Sequence, residues 1–281
     1  MIAREPSQDL DSRLYGTSLI KGLRILKCFS PEAQQRGVTE LAGRFNLAKS
    51  TVSRIVHSLE MEGFLCRVPG SGKYQLGLVL WGLGNLAFER SKELVQVARP
   101  YLEELVTRTK ESAQTVILDG IECVRLDKIE APRAVRAYMS VGGRFPAQVS
   151  ASGQVLLAHQ PESIVSALIK RGLRAYTPRT ITNGDELRRQ LRQIRKQGYA
   201  VNEGQYRDDV GGFGAPVRDT TGMVIGALGI SIPMSRFPTR NVSRDVIQLL
   251  TDTTARLSRE MGYMGPTDRS DPNRARGACK R

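Results

Sequence analysis

Apolar residues recur at helical spacing in the first third of the chain. They predict three helices, at residues 18–29, 39–45 and 49–62. The third helix has apolar residues at the i, i+3, i+4, i+7 spacing of a buried face, namely Val52, Ile55, Val56 and Leu59. A short connection at 46–48 joins the second helix to the third, which is the order of a helix-turn-helix.

Two short β-type runs follow the third helix. Residues 64–68 and 73–76 flank a turn of Pro, Gly and Ser and therefore predict a hairpin. A hairpin behind three such helices makes a winged helix-turn-helix. The next run, 78–90, is apolar almost all round and predicts a linker helix that is buried against another domain or another subunit.

The remainder of the chain alternates between the two periodicities. Helices are predicted at 95–110, 153–159, 163–171, 185–197 and 242–261. Strands are predicted at 113–119, 122–128, 135–141, 199–202, 214–218 and 223–232. Antiparallel hairpins mixed with helices indicate an α+β domain of the sensor type.

The chain of 281 residues carries a formal net charge of +14, which makes a polyanionic partner plausible. The excess is spread along the chain, so an arginine-rich composition explains it equally well. The four cysteines stand far apart, without the paired spacing of a zinc site. With no signal peptide and no long apolar run, we expect a cytoplasmic protein without membrane association, metal or cofactor.

The outward face of the third helix is cationic and rich in hydroxyl groups. Such side chains near a helix N-terminus suit phosphates and base edges, and an arginine suits the two acceptors of a guanine. The candidate DNA-binding residues are Thr39, Lys49, Ser50, Thr51, Ser53, Arg54 and His57, with Arg67 and Lys73 on the wing. An ordinary three-helix core with a solvated polar face would show the same pattern.

Two blocks of sequence resemble the IclR family of transcriptional regulators. The segments 18–26, 38–42 and 49–59, followed by 63–65 and 73–78, resemble its DNA-binding domain. The segments 198–202, 215–222 and 226–233 are similar to its effector-domain signature. The two blocks stand in the same order as in the family, and the resemblance runs from about residue 16 to 263.

The resemblance implies an α+β protein with a winged helix-turn-helix, a linker helix and a GAF-like effector-binding domain. The corresponding boundaries are 16–78, 79–92 and 93–264, followed by a flexible tail at 265–281. It further implies a homodimer or a dimer of dimers on a double-stranded operator. Repressors and activators both occur in the family.

The resemblance also places an effector pocket. Its residues here are Arg144, Phe145, Ala151, Ser152, Gly153, Asn202, Val210, Gly212, Gly229 and Ser231. Asn202 and Gln205 replace family acids, Gln154 replaces a lysine, and glycines 212 and 229 replace larger residues, which predicts a larger effector than a two- or three-carbon acid. The segment 136–146 looks nearest to the branch that senses aromatic acids, and Arg144 either pairs with a ligand carboxylate or holds its own loop.

Two other classes of function compete with a ligand-responsive regulator. An enzyme is disfavoured, because the chain has two histidines and no nucleophile elbow, zinc-protease motif or phosphate-binding loop. A ligand-independent architectural DNA-binding protein needs no large α+β half, and ligand-induced thermal stabilisation would separate it from a sensor.

Overall fold

The computed structural model describes residues 18–30, 33–137 and 139–265, and the chain divides into two compact units between Arg90 and Ser91. The expected N-terminal arm and almost all of the expected tail lie outside the described residues. Within the described ranges, no helix is long and apolar enough to cross a membrane.

The first unit is a three-helix core with a small antiparallel sheet. Its helices are α1 Ser18–Leu26, α2 Val38–Phe45 and α3 Lys49–Met61. Its strands are β1 Arg36–Gly37, β2 Leu65–Arg67 and β3 Lys73–Leu76, in the order β1-β3-β2. The hairpin of β2 and β3 is the wing, and β1 adds a third strand that the sequence pattern did not predict.

The three helices enclose a common core that includes Ile25, Leu41 and Val56. Asn46 adopts a left-handed conformation at the end of α2, which lets the chain turn directly into α3. Gly63 has φ +73°, so the predicted stop after α3 is a glycine in the conformation that helix ends favour. In α1 the buried residues are Gly22 and Ile25, and the apolar side chains of Leu19 and Leu23 remain exposed.

Helix α4 runs without interruption over Val79–Thr109. The sequence pattern predicted two helices here, at 78–90 and 95–110, and this division is wrong. The four intervening residues, 91–94, include neither glycine nor proline, so nothing local breaks the helix. Pro100 lies inside α4, where it removes one backbone hydrogen bond.

The second unit is built on a six-stranded antiparallel sheet. Its strands are β4 Ser112–Asp119, β5 Glu122–Ile129, β6 Arg144–Pro146, β7 Ala200–Arg207, β8 Val210–Arg218 and β9 Val224–Pro233. Their order is β6-β5-β4-β9-β8-β7. Its helices beyond α4 are α5 Ala151–Ala158, α6 Glu162–Arg171, α7 Gly184–Gln197 and α8 Arg240–Glu260.

Apolar side chains cover both faces of this sheet. On one face α5, α6 and α7 pack around Leu156, Leu168 and Leu191. On the other face the C-terminal part of α4 packs with α8 around Leu102 and Leu250. This is the layered α+β arrangement that the mixed periodicity indicated.

The strand predicted at 135–141 is not formed in the described residues of that segment. The carbonyl of Met139 accepts a bond from Lys128 Nζ at 2.5 Å, and the carbonyl of Ser140 accepts one from Arg125 Nη1 at 3.0 Å. The Ser140 carbonyl also accepts from the Gly143 N–H at 3.1 Å, so these carbonyls bond to side chains and within the segment and not in a strand ladder. The segment is an irregular connection that leads into β6.

Candidate functional site

The exposed surface of α3 carries most of the DNA-binding candidates of the first unit. Lys49, Ser50, Ser53, Arg54 and His57 are exposed, and Thr51 is half-buried. The first turn of α3 has no acidic residue, and its N-cap, Ala48, supplies no side-chain hydrogen bond. Backbone N–H groups at the start of the helix are therefore available to a phosphate beside two hydroxyls and a cation.

The candidates outside α3 differ in whether their side chains are exposed or already paired within the protein. Thr39 is exposed in the first turn of α2, and Lys73 is exposed at the start of β3. Arg67 instead donates to the hydroxyl of Tyr74 at 2.7 Å, and its Nε lies 3.6 Å from Glu60 Oε1. Its guanidinium is thus tied to the base of the wing.

The second unit contains a cavity of about 470 Å³ beside β6, the start of α5 and the adjoining strands. This volume lies within the range of small-molecule sites, about 300–1,000 Å³. Eight of the ten effector candidates line it: Arg144, Phe145, Ala151, Ser152, Asn202, Val210, Gly212 and Ser231. Several other lining residues were not predicted from the sequence, among them Gln114, Arg125, Met139, Ser140 and Tyr206.

The remaining two candidates, Gly153 and Gly229, do not line the cavity. A Cβ at Gly229 would overlap the hydroxyl oxygen of Ser152. The side chain of Ser152 therefore fills the space beside Gly229, and this glycine does not enlarge the cavity. A Cβ at Gly153 would overlap the backbone of Ala147. Both glycines permit close packing around the start of α5.

A polar row crosses three neighbouring strands at the cavity. Arg125 on β5 donates from Nε to Gln114 Oε1 on β4 at 2.5 Å. Gln114 donates from Nε2 to Ser231 Oγ on β9 at 3.3 Å. The three side chains are therefore linked on the face of the sheet that borders the cavity.

Arg125 is held in a largely buried position. Its Cζ lies 5.0 Å from the centre of the Phe145 ring, within the range of a cation–π contact. Burial lowers the pKa of Arg125 from 12.5 to about 10, so it stays protonated at neutral pH. The cavity thus has a cationic wall beside an aromatic ring.

Arg144 reaches the cavity but is already paired. Its Nη2 lies 2.7 Å from Asp119 Oδ2, and its Nε lies 3.0 Å from Glu122 Oε2. Both partners stand at the β4–β5 turn, which β6 flanks. This arrangement favours the second of the two roles considered for Arg144, in which it holds its own loop.

Other polar lining groups serve the local structure. Asn202 Nδ2 donates to the carbonyl of Val149 at 3.0 Å, and its Oδ1 accepts from the Gln205 N–H at 3.1 Å. Ser150 Oγ accepts from the N–H of Gly153 at 3.0 Å and caps α5. The amides of Ala151 and Ser152 are the donors of the first turn that take no part in this cap.

A bulge in β7 brings Tyr206 to the cavity. The register with β8 shifts between Glu203 and Arg207, and Gly204 within the bulge has φ +74°. The hydroxyls of Thr177 and Thr180 donate to the carbonyls of Gly204 and Gln205, at 2.7 and 2.6 Å. The ring of Tyr206 also makes an edge contact with Tyr176, at a centroid distance of 5.2 Å.

The described residues contain no cluster of three or more His, Cys, Asp or Glu side chains that could hold a metal ion.

Comparison with protein families matches both units. The IclR helix-turn-helix domain matches residues 18–69. The C-terminal domain of the bacterial transcriptional regulator IclR matches residues 87–259, which is more than half of the chain. This is a family of transcriptional regulators and not of enzymes.

Individual relatives agree with the family match. The transcriptional regulator XynR of Escherichia coli K12 is 33% identical, covering 88% of this chain and 97% of its own length. The transcriptional repressor AllR of Klebsiella pneumoniae is 27% identical over 94% of this chain and 97% of its own length.

Solved structures agree as well. The crystal structure of an IclR homologue from Microbacterium hydrocarbonoxydans, complexed with 4-hydroxybenzoate, has a TM-score of 0.73 and 28% identity, covering 88% of this chain and 99% of that one. The IclR of Thermotoga maritima has a TM-score of 0.68 and 29% identity over the same shares. The chain belongs to the IclR family of DNA-binding transcriptional regulators, with a helix-turn-helix domain and an effector-binding domain.

Proposed function

We propose that this regulator binds a specific operator and that a small carboxylate, in particular an aromatic acid, modulates the binding. The observation that carries the effector class is the cavity of about 470 Å³, which combines a buried arginine with the rings of Phe145 and Tyr206. A guanidinium suits a carboxylate, and the rings suit a planar apolar body. The homologue complexed with 4-hydroxybenzoate supports the same class.

The operator is read by α3. Arg54 is exposed on this helix, and among the described residues no carboxylate lies within 4.0 Å of its guanidinium. It is the group best suited to a guanine edge. Arg67 stabilises the wing. The remaining candidates position the protein through phosphate contacts: Lys49, Ser50, Thr51, Ser53, His57, Thr39 and Lys73.

The functional form is a homo-oligomer. The start of α4 and the segment before it expose Leu78, Trp81, Leu83 and Leu86, whose exposed fractions are 50% or more. Apolar side chains at this density are uncommon on the surface of a monomer and indicate an interaction site. A second copy of the chain is the occupant, as in the homodimer or dimer of dimers that the family resemblance implies.

The experiment is fluorescence anisotropy of the full-length protein with DNA from immediately upstream of its own gene. Scrambled DNA is the control, at two salt concentrations, with and without benzoate, 4-hydroxybenzoate and pyruvate. We expect the upstream DNA to be preferred at moderate salt and at least one acid to change its affinity. Equal binding to both DNAs that disappears with salt would leave only non-specific charge attraction. Specific binding without any ligand response or thermal stabilisation would favour the architectural alternative.

A further inference from the structure

We propose that Arg125 is the residue that recognises the negative charge of the effector, with Ser231 as a second donor oriented through Gln114. The inference rests on the proposed function, because it assigns roles within the same cavity. It names a residue that the family resemblance did not indicate and replaces Arg144 in that role.

Arg125 is held by neutral partners. Its Nε donates to Gln114 Oε1, and its Nη1 donates to the carbonyl of Ser140. Both acceptors are neutral, and in the described part of the chain no carboxylate lies within 4.0 Å of the guanidinium. The side chain is fixed in place while its charge is not neutralised by an ion pair.

The positive charge of Arg125 is partly withdrawn from water. Such a cation without a counter-ion is unfavourable, and the same desolvation lowers the pKa of Arg125. A carboxylate in the cavity would supply the missing negative charge. A guanidinium has five N–H donors, and the bonds to Gln114 and Ser140 use two of them.

The hydrogen bonds of the polar row, Arg125, Gln114 and Ser231, run in one direction. Because Gln114 Oε1 accepts from Arg125, the amide nitrogen of Gln114 must face Ser231. Gln114 then donates to Ser231 Oγ, so the hydroxyl proton of Ser231 is directed elsewhere. Ser231 lines the cavity and is therefore oriented as a donor to a bound anion.

Arg144 is the alternative to Arg125 as the arginine that pairs with a carboxylate. Both arginines line the cavity, but Arg144 is about half exposed and is paired with Asp119 and Glu122. A ligand that needs Arg144 would have to compete with two carboxylates. Removing Arg144 therefore tests the effect of losing a cavity arginine that is already neutralised.

The test is isothermal titration of the full-length protein with 4-hydroxybenzoate and with its neutral analogue 4-hydroxybenzamide. The proteins are wild type, Arg125→Gln, Arg125→Lys and Arg144→Gln. We expect Arg125→Gln to weaken binding of the acid at least ~10-fold and to leave binding of the amide within ~3-fold. Arg125→Lys, which keeps the charge without the planar fork, should give an intermediate loss. Arg144→Gln tests the alternative, and a selective loss of acid affinity as large as that of Arg125→Gln would contradict the proposal. A fifth protein, Arg171→Gln, changes an exposed arginine outside the cavity; it is the control and should keep both affinities within ~3-fold of wild type.

The possible failures are distinguishable. An unchanged acid affinity in Arg125→Gln, or an equal loss for acid and amide, would overturn the role of Arg125 and leave the effector class intact. Failure of the wild type to bind 4-hydroxybenzoate, benzoate or pyruvate would overturn the proposed carboxylate effector together with this inference. Thermal melting without ligand checks folding. If Arg125→Gln is unfolded, Arg125→Lys decides, and an undiminished preference for acid over amide contradicts the proposal.

Discussion

Gln154 Nε2 donates to Gln205 Oε1 at 2.7 Å, and these are the two positions where the family resemblance leads one to expect a lysine and a glutamate. The pair lies behind the cavity wall, with Gln154 fully buried at the start of α5. The same amide nitrogen donates to the Gln148 carbonyl, and Gln154 Oε1 accepts from Gln190. A neutral hydrogen-bond network thus stands where the resemblance predicts two charged side chains.

Replacing Gln154 with leucine should lower the free energy of unfolding by about 1–3 kcal/mol, because its buried partners lose their hydrogen bonds. Urea titration followed by circular dichroism measures the change. Gln193→Ala on the exposed face of α7 is the control and should stay within about 0.5 kcal/mol of wild type. Equal stability of Gln154→Leu and wild type would contradict this prediction and show that water replaces the hydrogen bonds that Gln154 makes to its partners.

Arg54→Gln should weaken operator binding by roughly 10-fold or more and relax the preference for operator over scrambled DNA, because it removes a bidentate base contact. Lys49→Gln should weaken binding to both DNAs alike and reduce the salt slope by about one, since it removes a phosphate contact. Anisotropy across a salt series measures both effects. Arg171→Gln, an exposed change in the second unit, serves as the control. A fully retained sequence preference in Arg54→Gln would contradict base readout by this residue.

Trp81→Glu should dissociate the oligomer, because it places a charge in the proposed apolar interface. Trp81 is 71% exposed in the single chain, so the substitution leaves the fold of the unit intact. Size-exclusion chromatography with light scattering measures the mass. Met223→Glu, at a position that is 69% exposed in a turn of the second unit, should keep the mass of the wild type. A Trp81→Glu protein with unchanged mass would argue against this interface.

Burial raises the pKa of the Cys123 thiol from 9.0 to about 12. The thiolate is the reactive form, so a maleimide should label Cys123 only in urea, whereas the half-buried Cys66 reacts in the native protein.

The same raised pKa of Cys123 predicts how stability depends on pH. The folded state disfavours the thiolate, so ionisation of Cys123 should not affect stability below about pH 9. Between about pH 9 and 12 the unfolded chain ionises first, and stability should fall. Mass mapping of the label and alkaline denaturation of Cys123→Ala against wild type test the two expectations; rapid native labelling of Cys123 would refute the first.

The helix-turn-helix could be predicted because its signals are local. Helical spacing at Val52, Ile55 and Val56 and the glycine at 63 are properties of a short stretch, and the structure has the same elements with ends shifted by a few residues. Exposure was harder to predict than helicity. Leu19 and Leu23 form part of an apolar stripe on α1, but both side chains lie outside the core of the unit and are exposed.

The cavity could be predicted only in part, because its polar wall depends on pairing between strands. Arg125 lies two residues after the buried Cys123 on the same strand, so strand alternation places it on the same face, and this is the signal that could have revealed it. Its bonds to Gln114 and Ser140 depend on the strand register and on an irregular segment. Likewise, the neutralisation of Arg144 depends on a turn 22 to 25 residues earlier in the chain.

The bulge that carries Tyr206 also affects how readily the protein aggregates through the edge of its sheet. In the described part of the chain β7 is the outermost strand on its side of the sheet, and such a strand is a template on which another molecule can add a strand. The shift between Glu203 and Arg207 breaks its regular ladder, and Gly204 bends it. Straightening β7 would therefore be expected to remove a safeguard against edge-to-edge aggregation as well as an aromatic wall of the cavity.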